Sequence, residues 1–466
     1  MTGESMAYCS IGRSHISSLE SLAKTSKTSN CFSVKCIFSN LEAMSGNQKI
    51  AQLVDHLFRH EAGKLVAVLT RIFGTENLDL AEDVVQDSLV EAMTQWTYRG
   101  VPENPSGWLF KVAKNKALNI VNKEKYKRKY ASDVAHFLQS QWTAGPALNH
   151  IFSEQQILDD QLRMMFTCCH PSVSLDSQVA LTLKTLCGLS ISEIAKAFLT
   201  TDENINKRLV RARQKIRENK IPFEVPEGEA LESRFNAVLE TIYLLFNEGY
   251  SASTGNEVVR FELCEEAIRL ANMAAAHDVL KNKSNVHALL ALMYLNASRF
   301  KSRIGDKGNI LTMAEQDRST WDFSLMQQGF HYLEKSTSEG IVSNYHILAA
   351  ISAYHCSARD FESTDWNSIL SLYDKLIELD PSPIIFLNRA IVISKVRGAL
   401  EALAELEKIK ESAALESYHL FYSARAELYL QVRDFRNASE SLKRAIDLSP
   451  LQAEKDLLEK KLALCK

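Results

Sequence analysis

Residues 189–217 read LSISEIAKAFLTTDENINKRLVRARQKIR. The stretch opens on a short apolar-periodic segment, Leu189–Phe198. Within it Ser190 and Glu193 stand three apart, the spacing at which a hydroxyl and a carboxylate cap a helix start reciprocally. The turn Leu199-Thr200-Thr201-Asp202 follows. A longer segment from Asn204 to Arg217 then carries Ile205, Leu209, Ala212 and Ile216 at helical spacing. That stripe predicts a buried face and leaves Asn206, Lys207, Arg208, Arg211, Arg213 and Lys215 outward. Two short helices joined by a tight turn form a helix-turn-helix, whose second helix seats in the major groove. There Arg and Lys can meet phosphates and guanine edges. A solvated helix face has the same composition, so the residues alone leave both readings open.

Upstream, charge is segregated. Between Asp55 and Glu91 eight carboxylates face three basic side chains, whereas between Arg99 and Lys129 nine basic side chains face two carboxylates. The acidic part contains a predicted helix from about Leu80 to Trp96. A predicted helix from near Trp108 to about Lys129 carries the basic part. Val101–Gly107, with two prolines and a glycine, reads as the loop between them. Before these, Leu53, Leu57, Leu65, Val68, Leu69 and Ile72 keep a helical period that Gly63 interrupts and Gly74 closes.

The whole chain has 466 residues, 46% of them hydrophobic and 24% charged, with a formal net charge of -3. This is globular composition, and it excludes a uniformly basic nucleic-acid coat while allowing a local patch. With 9 Pro and 17 Gly, breakers are scarce and an all-α fold is expected. No apolar run reaches the ~18 residues of a membrane span. The 9 cysteines are scattered rather than framed as disulfides, which points to a reducing, cytoplasmic setting. Cys168-Cys169-His170 lacks a second ligand pair, so it reads as buried thiols at a helix start rather than a metal site. No phosphate loop, dinucleotide fingerprint, nucleophile elbow or metalloprotease pattern occurs, so no enzyme, metal or cofactor is expected.

Five segments are predicted: residues 1–48, a Ser-rich tail or upstream extension; 49–130; a linker at 131–160; 161–222; and 230–466, which reads as helix after helix. Near the end Phe386, Arg389, Ala390, Ile393, Ala402 and Leu406 recur 36 residues later as Tyr422, Arg425, Ala426, Tyr429, Ala438 and Leu442. A period near 34 with small residues at the helix contacts indicates a solenoid like that of tetratricopeptide (TPR) repeats. A plain helical bundle is the other reading of this half.

Two motifs in order carry a family resemblance. Leu80-Ala81-Glu82-Asp83-Val84-Val85-Gln86-Asp87, Trp96 and Trp108-Leu109-Phe110-Lys111-Val112-Ala113-Lys114-Asn115 resemble region 2 of an extracytoplasmic-function (ECF) RNA polymerase sigma factor. Ser190–Ala195 and Arg208–Arg213 resemble its region 4. Phe166–Pro171, Phe246–Tyr250, Gln316–Arg318, Thr364–Trp366 and Ser382–Ala390 resemble the subgroup with a C-terminal TPR-like extension. The resemblance implies that Glu82, Asp83, Gln86 and Asp87 dock on the polymerase core. It implies that Trp108, Lys111, Lys114, Asn115 and Lys116 meet the -10 element, with Asn115 at the unpaired strand. Asn206, Lys207, Arg208, Arg211, Arg213 and Lys215 would then read the -35 element. Asn204, Asn119 and Asn122 depart from the family pattern, so promoter sequence is left open. The TPR-like half is expected to take a protein or peptide partner and to regulate activity. Two rival readings remain: a helix-turn-helix regulator that never joins polymerase, and a TPR adaptor without a DNA role.

Overall fold

The computed structural model describes residues 46–125, 154–197, 200–250, 261–277, 282–305, 310–337, 342–449 and 451–465. Residues 1–45 of the predicted tail and 131–153 of the predicted linker lie outside these residues, as do Phe198 and Leu199, whereas 46–48 and 154–160 are helical. Among the described residues every extended element is a helix, apart from one isolated bridge between Ile304 and Ile310. None of these helices is long and apolar enough to cross a membrane. The chain divides into two compact units, at Leu245 and Phe246.

The first unit is built on α1 (Gly46–Phe73). Leu65, Val66, Ala67, Val68 and Leu69 are all buried, so the middle of α1 is enclosed on every side rather than along one stripe. It packs against α2 (Leu78–Arg99), α3 (Pro105–Lys125), α4 (Glu154–Cys168) and α5 (Leu175–Thr185). Gly63 does not interrupt α1. A Cβ there would stand 1.9 Å from the Leu186 carbonyl oxygen, so glycine permits a close crossing of backbones. Gly74 does end the helix, at φ 86°.

Two other boundaries also differ from expectation. Pro105 opens α3 instead of lying in a loop, because a first-turn residue needs no N–H and its fixed φ already suits a helix. Gly107 lies within that first turn, where its N–H donates to Asn104 Oδ1 at 2.8 Å. Cys168 and Cys169 are buried as expected, but they stand at the end of α4 rather than at a helix start. Burial pushes the Cys168 thiol well up and holds Cys169 at about 12.

The helix-turn-helix follows as α6 (Ile191–Ala197) and α7 (Asp202–Glu218). Ser190 N donates to Glu193 Oε2 at 2.7 Å and Glu193 N to Ser190 Oγ at 3.1 Å, the reciprocal cap read from their spacing. Thr201 caps α7 by accepting from Asn204 N. Ile205, Leu209, Ala212 and Ile216 are each at most 2% exposed. Helix α8 (Glu229–Tyr250) runs on from this unit.

The second unit contains α9 (Phe261–Ala276), α10 (Ser284–Ala297), α11 (Phe323–Ser336), α12 (Asn344–Ser357) and α13 (Trp366–Leu379). It continues through α14 (Pro383–Val396), α15 (Ala399–Ile409), the short α16 (Ala413–Glu416), α17 (His419–Gln431), α18 (Phe435–Leu448) and α19 (Gln452–Ala463). The counted repeat coincides with the packed pairs α14/α15 and α17/α18. Ala390, Ala402, Ala426 and Ala438 are wholly buried, so the small residues lie inside the helix layers. Arg389 bonds Asp374 at 2.6 Å, and its counterpart Arg425 donates to Ser441 Oγ at 3.1 Å.

The strings that suggested the extension have structural roles here. Arg318 donates to the carbonyls of His355 and Ala358 and to Thr364 Oγ1, and its guanidinium lies 5.0 Å over the Trp321 ring. Asp365 caps α13 through Ser368 N, and Ser382 caps α14, which has Pro383 in its first turn.

Candidate nucleic-acid interface

Three helices of the first unit carry the candidate residues: α2, α3 and α7. On α2, Val84, Val85, Leu89 and Ala92 point into the core, which turns Asp83, Gln86 and Asp87 to solvent. Val90 and Met93 share that exposed side at 62% and 46%. A strip of carboxylate, amide and apolar side chains thus lies open over about three turns. Glu82 does not belong to it. Its side chain is 14% exposed, with Oε1 accepting from Thr185 Oγ1 at 2.9 Å and Oε2 from Arg213 Nη2 at 2.7 Å.

On α3, Lys111 and Asn115 are exposed one turn apart. Trp108 is half-buried, edge-on to Trp96 with ring centroids 5.3 Å apart. That contact ties the start of α3 to the end of α2. Lys114 is half-buried, and Lys116 Nζ bridges to Glu91 at 3.0 Å. Lys111 and Asn115 therefore point outward, whereas Trp108 and Lys116 also make contacts with α2.

On α7, Asn206, Lys207, Arg211 and Lys215 are exposed, as the stripe predicts. Arg208 and Arg213 are not fully outward. Arg208 Nη2 lies 3.3 Å from Asp176 Oδ2 at the start of α5. Arg213 turns toward α2, where it meets Glu82 and places Nε 3.2 Å from Asp79 Oδ1. Arg217 joins the same cluster. Its Nη2 donates to Asp79 Oδ2 at 3.0 Å and its Nε to the Glu76 carbonyl at 3.2 Å. Thr75 Oγ1 closes the other side by donating to the Ile221 carbonyl at 2.6 Å.

The two kinds of pair in this cluster differ in weight. Arg217 and Asp79 are each more than half exposed, and such a pair contributes about 0–1 kcal/mol. Arg213 and Glu82 are shielded at 18% and 14%, so salt screens them less and removing either strands a charge. Asp79, Thr185 and Arg217 were not singled out from the sequence. The acidic run around Asp79 was visible there, but its partner lies 138 residues away.

Behind α1, Asp160 on α4 is fully buried between Arg163 at 2.6 Å and Arg71 at 3.5 Å. Burial pushes its carboxyl up, and the two guanidinium groups work against that. Arg71 also donates to Gln156, so α1 and α4 are joined by polar contacts as well as by packing.

Comparison with known proteins matches these parts in the same order. Residues 57–126 match Sigma-70 region 2, and residues 163–216 match Sigma-70, region 4. Over 178 residues the chain is 30% identical to the ECF RNA polymerase sigma-E factor of Salmonella typhimurium, covering 88% of that protein and 38% of this one. The chain belongs to the ECF sigma factors. The Escherichia coli sigma-E factor is similar at 29% over the same share. The likeness also extends past the sigma regions: an uncharacterized protein of Rhizobium meliloti is 33% identical over 389 residues, 84% of this chain and 90% of that one. Residues 234–337 of this ECF factor match a family of unknown function (DUF6596). No solved structure matches.

Proposed function

We propose that this protein is an alternative sigma factor that binds core RNA polymerase, directs promoter-specific initiation, and is regulated through its C-terminal TPR-like half. The observation that carries this reading is the pairing of an acidic, partly apolar open strip on α2 with a basic recognition helix α7, in a chain that covers most of a sigma-E factor. The strip of Asp83, Gln86, Asp87, Val90 and Met93 suits a protein partner. Its carboxylates repel phosphates, whereas its apolar residues gain by burial. Glu82 completes it once Arg213 is displaced.

In this reading Lys111 and Asn115 face the -10 element, with Lys114 and Lys116 flanking them. Trp108 holds the helix in place and offers its ring edge. Melting without ATP requires that an unstacked base be caught by stacking and edge hydrogen bonds, against a cost of a few kcal/mol. Asn206, Lys207, Arg211 and Lys215 read the -35 element, joined by Arg208 and Arg213 when their carboxylate partners are released. The role is recruitment rather than catalysis, and it is exercised in the cytoplasm, where polymerase and promoter DNA are. The TPR-like helices offer a surface for a protein or peptide that reports the inducing signal.

Co-elution with bacterial core polymerase tests the reading. The full chain is expected to co-elute, and Asp83→Lys with Asp87→Lys to abolish it. Equal co-elution of that variant would remove α2 from the docking surface.

A further inference from the structure

We propose that the second repeat copy, α17/α18, carries a docking site for an acidic segment of a partner protein, whose carboxylates are taken by Arg425 and Arg444 beside the Tyr422 ring. The proposal rests on the reading that the TPR-like half takes a protein or peptide partner, and it names the site and the partner's chemistry.

The two repeat copies solve one packing problem with different charges. In the first copy Arg389 lies on α14 with its side chain only 20% exposed. Asp374 on α13 meets its Nε at 2.6 Å, and Glu405 on α15 meets its Nη1 at 3.5 Å. Lys408 completes the cluster by donating to Glu405 at 2.6 Å. Counting 36 residues on from Asp374, Arg389, Glu405 and Lys408 gives Lys410, Arg425, Ser441 and Arg444. The arginine stays, while both of its carboxylates are gone. Four positions whose charges cancel in the first copy carry +3 in the second.

Arg425 has other neighbours in their place. Its Nε donates to Ser441 Oγ at 3.1 Å, and its guanidinium lies 5.3 Å from the Tyr422 ring centroid and 5.7 Å from that of Phe421. The Arg444 guanidinium lies 5.8 Å from the same Tyr422 ring. Among the described residues neither arginine has a carboxylate partner, and the exposed Glu411, Glu416 and Glu440 pair with neither. Glu407 holds the Lys410 amine up and Arg425 works against it, which brings a third cation within electrostatic reach. Rings and a hydroxyl solvate a guanidinium without neutralising it, and like charges beside it raise the cost. What the site lacks is negative charge on paired oxygens, which a planar guanidinium takes through parallel N–H···O bonds. The cations are spread over α17, α18 and the end of α15. A run of Asp or Glu supplies a carboxylate to each, which one small anion does not.

The test uses the full chain and a labelled hexaglutamate peptide, with binding read by fluorescence anisotropy. Saturable binding is expected, weakened about tenfold by Arg425→Gln with Arg444→Gln. Ser441→Glu gives Arg425 the carboxylate that Arg389 has from Glu405. It is expected to weaken binding as well, although no basic group is removed. Lys207→Ala with Arg211→Ala, on α7, is expected to leave peptide binding unchanged. No saturable binding, equal binding by both site variants, or loss only in the α7 variant would overturn the site. Equal binding of hexaglutamine would overturn charge recognition. Displacement by inorganic phosphate at the peptide's own concentration would make this a small-anion site and overturn the docking surface. The two site variants alter different atoms, so a folding defect in one leaves the other to decide. Co-elution with core polymerase, measured on the same samples, keeps the two readings apart. Co-elution without peptide binding sinks the docking site alone, whereas peptide binding without co-elution sinks the sigma reading and leaves the site standing.

Discussion

Alanine at Gly63 sets two effects of opposite sign against each other. In an exposed helix interior Gly→Ala stabilises by about 0.8–1.0 kcal/mol, because glycine loses more backbone freedom on folding. Here the new Cβ would lie 1.9 Å from the Leu186 carbonyl oxygen, 2.7 Å from its carbon and 2.9 Å from its Cα. All three are backbone atoms, so no side chain can rotate aside. Ordinary non-bonded contact begins at about 3.5 Å, and α1 and the turn after α5 must therefore part by about 1.5 Å. The buried residues beside Gly63, Leu65 and Val66 among them, then lose contact across the gap. Overpacking of this kind costs about 1–3 kcal/mol, and the lost contact adds to it. The net expectation is a loss of about 1–2 kcal/mol, the clash outweighing propensity. With a urea slope of about 2 kcal/mol/M, the unfolding midpoint should fall by about 0.5–1 M. A midpoint that rises, as propensity alone requires, would refute the close crossing of α1 and Leu186.

Three further outcomes follow from particular contacts. Lys207→Ala with Arg211→Ala should lower the salt slope of promoter binding by about two, since both side chains are exposed on α7; Arg208→Ala should change it less while Asp176 holds that guanidinium. An equal effect of Arg208 would show that its ion pair opens freely. His355 is held at about 4, first by burial and then by Arg299 and Arg318, so the fold keeps it neutral. Its contribution is complete above pH 6.5 and is lost as pH falls toward 4, by up to about 3 kcal/mol. His355→Phe should therefore shrink the drop in urea midpoint between pH 7 and pH 4.5, and an undiminished drop would count against this burial. Finally, Cys168 and Cys169 should resist a thiol reagent at neutral pH until the chain unfolds, whereas partly exposed Cys465 reacts; peptide mass mapping would reveal early labelling that contradicts it.

Local signals in the sequence proved legible. The period of Ile205, Leu209, Ala212 and Ile216 and the three-residue spacing of Ser190 and Glu193 are short-range patterns whose physics is complete within a few turns. The 36-residue recurrence of Ala390 and Ala402 as Ala426 and Ala438 was likewise readable, because both copies solve one packing problem. Gly63 was misread as a break because its reason, Leu186, lies 123 positions further on. Arg213 was expected outward because helical spacing places it near the border of the stripe, and only Asp79 and Glu82, brought alongside by the fold, decide which way it turns. Pro105 was taken for a breaker since local propensity does not separate a first-turn proline from one in a loop. At Cys168 the apolar character was visible, whereas its place at the end of α4 was not.

This chain gives core polymerase a promoter choice. Run-off transcription from the region upstream of its own gene, with core polymerase alone and with the full chain added, tests this most directly. A discrete transcript that requires the chain, and that Lys207→Ala with Arg211→Ala weakens, is predicted. No transcript together with no association with core would contradict the account.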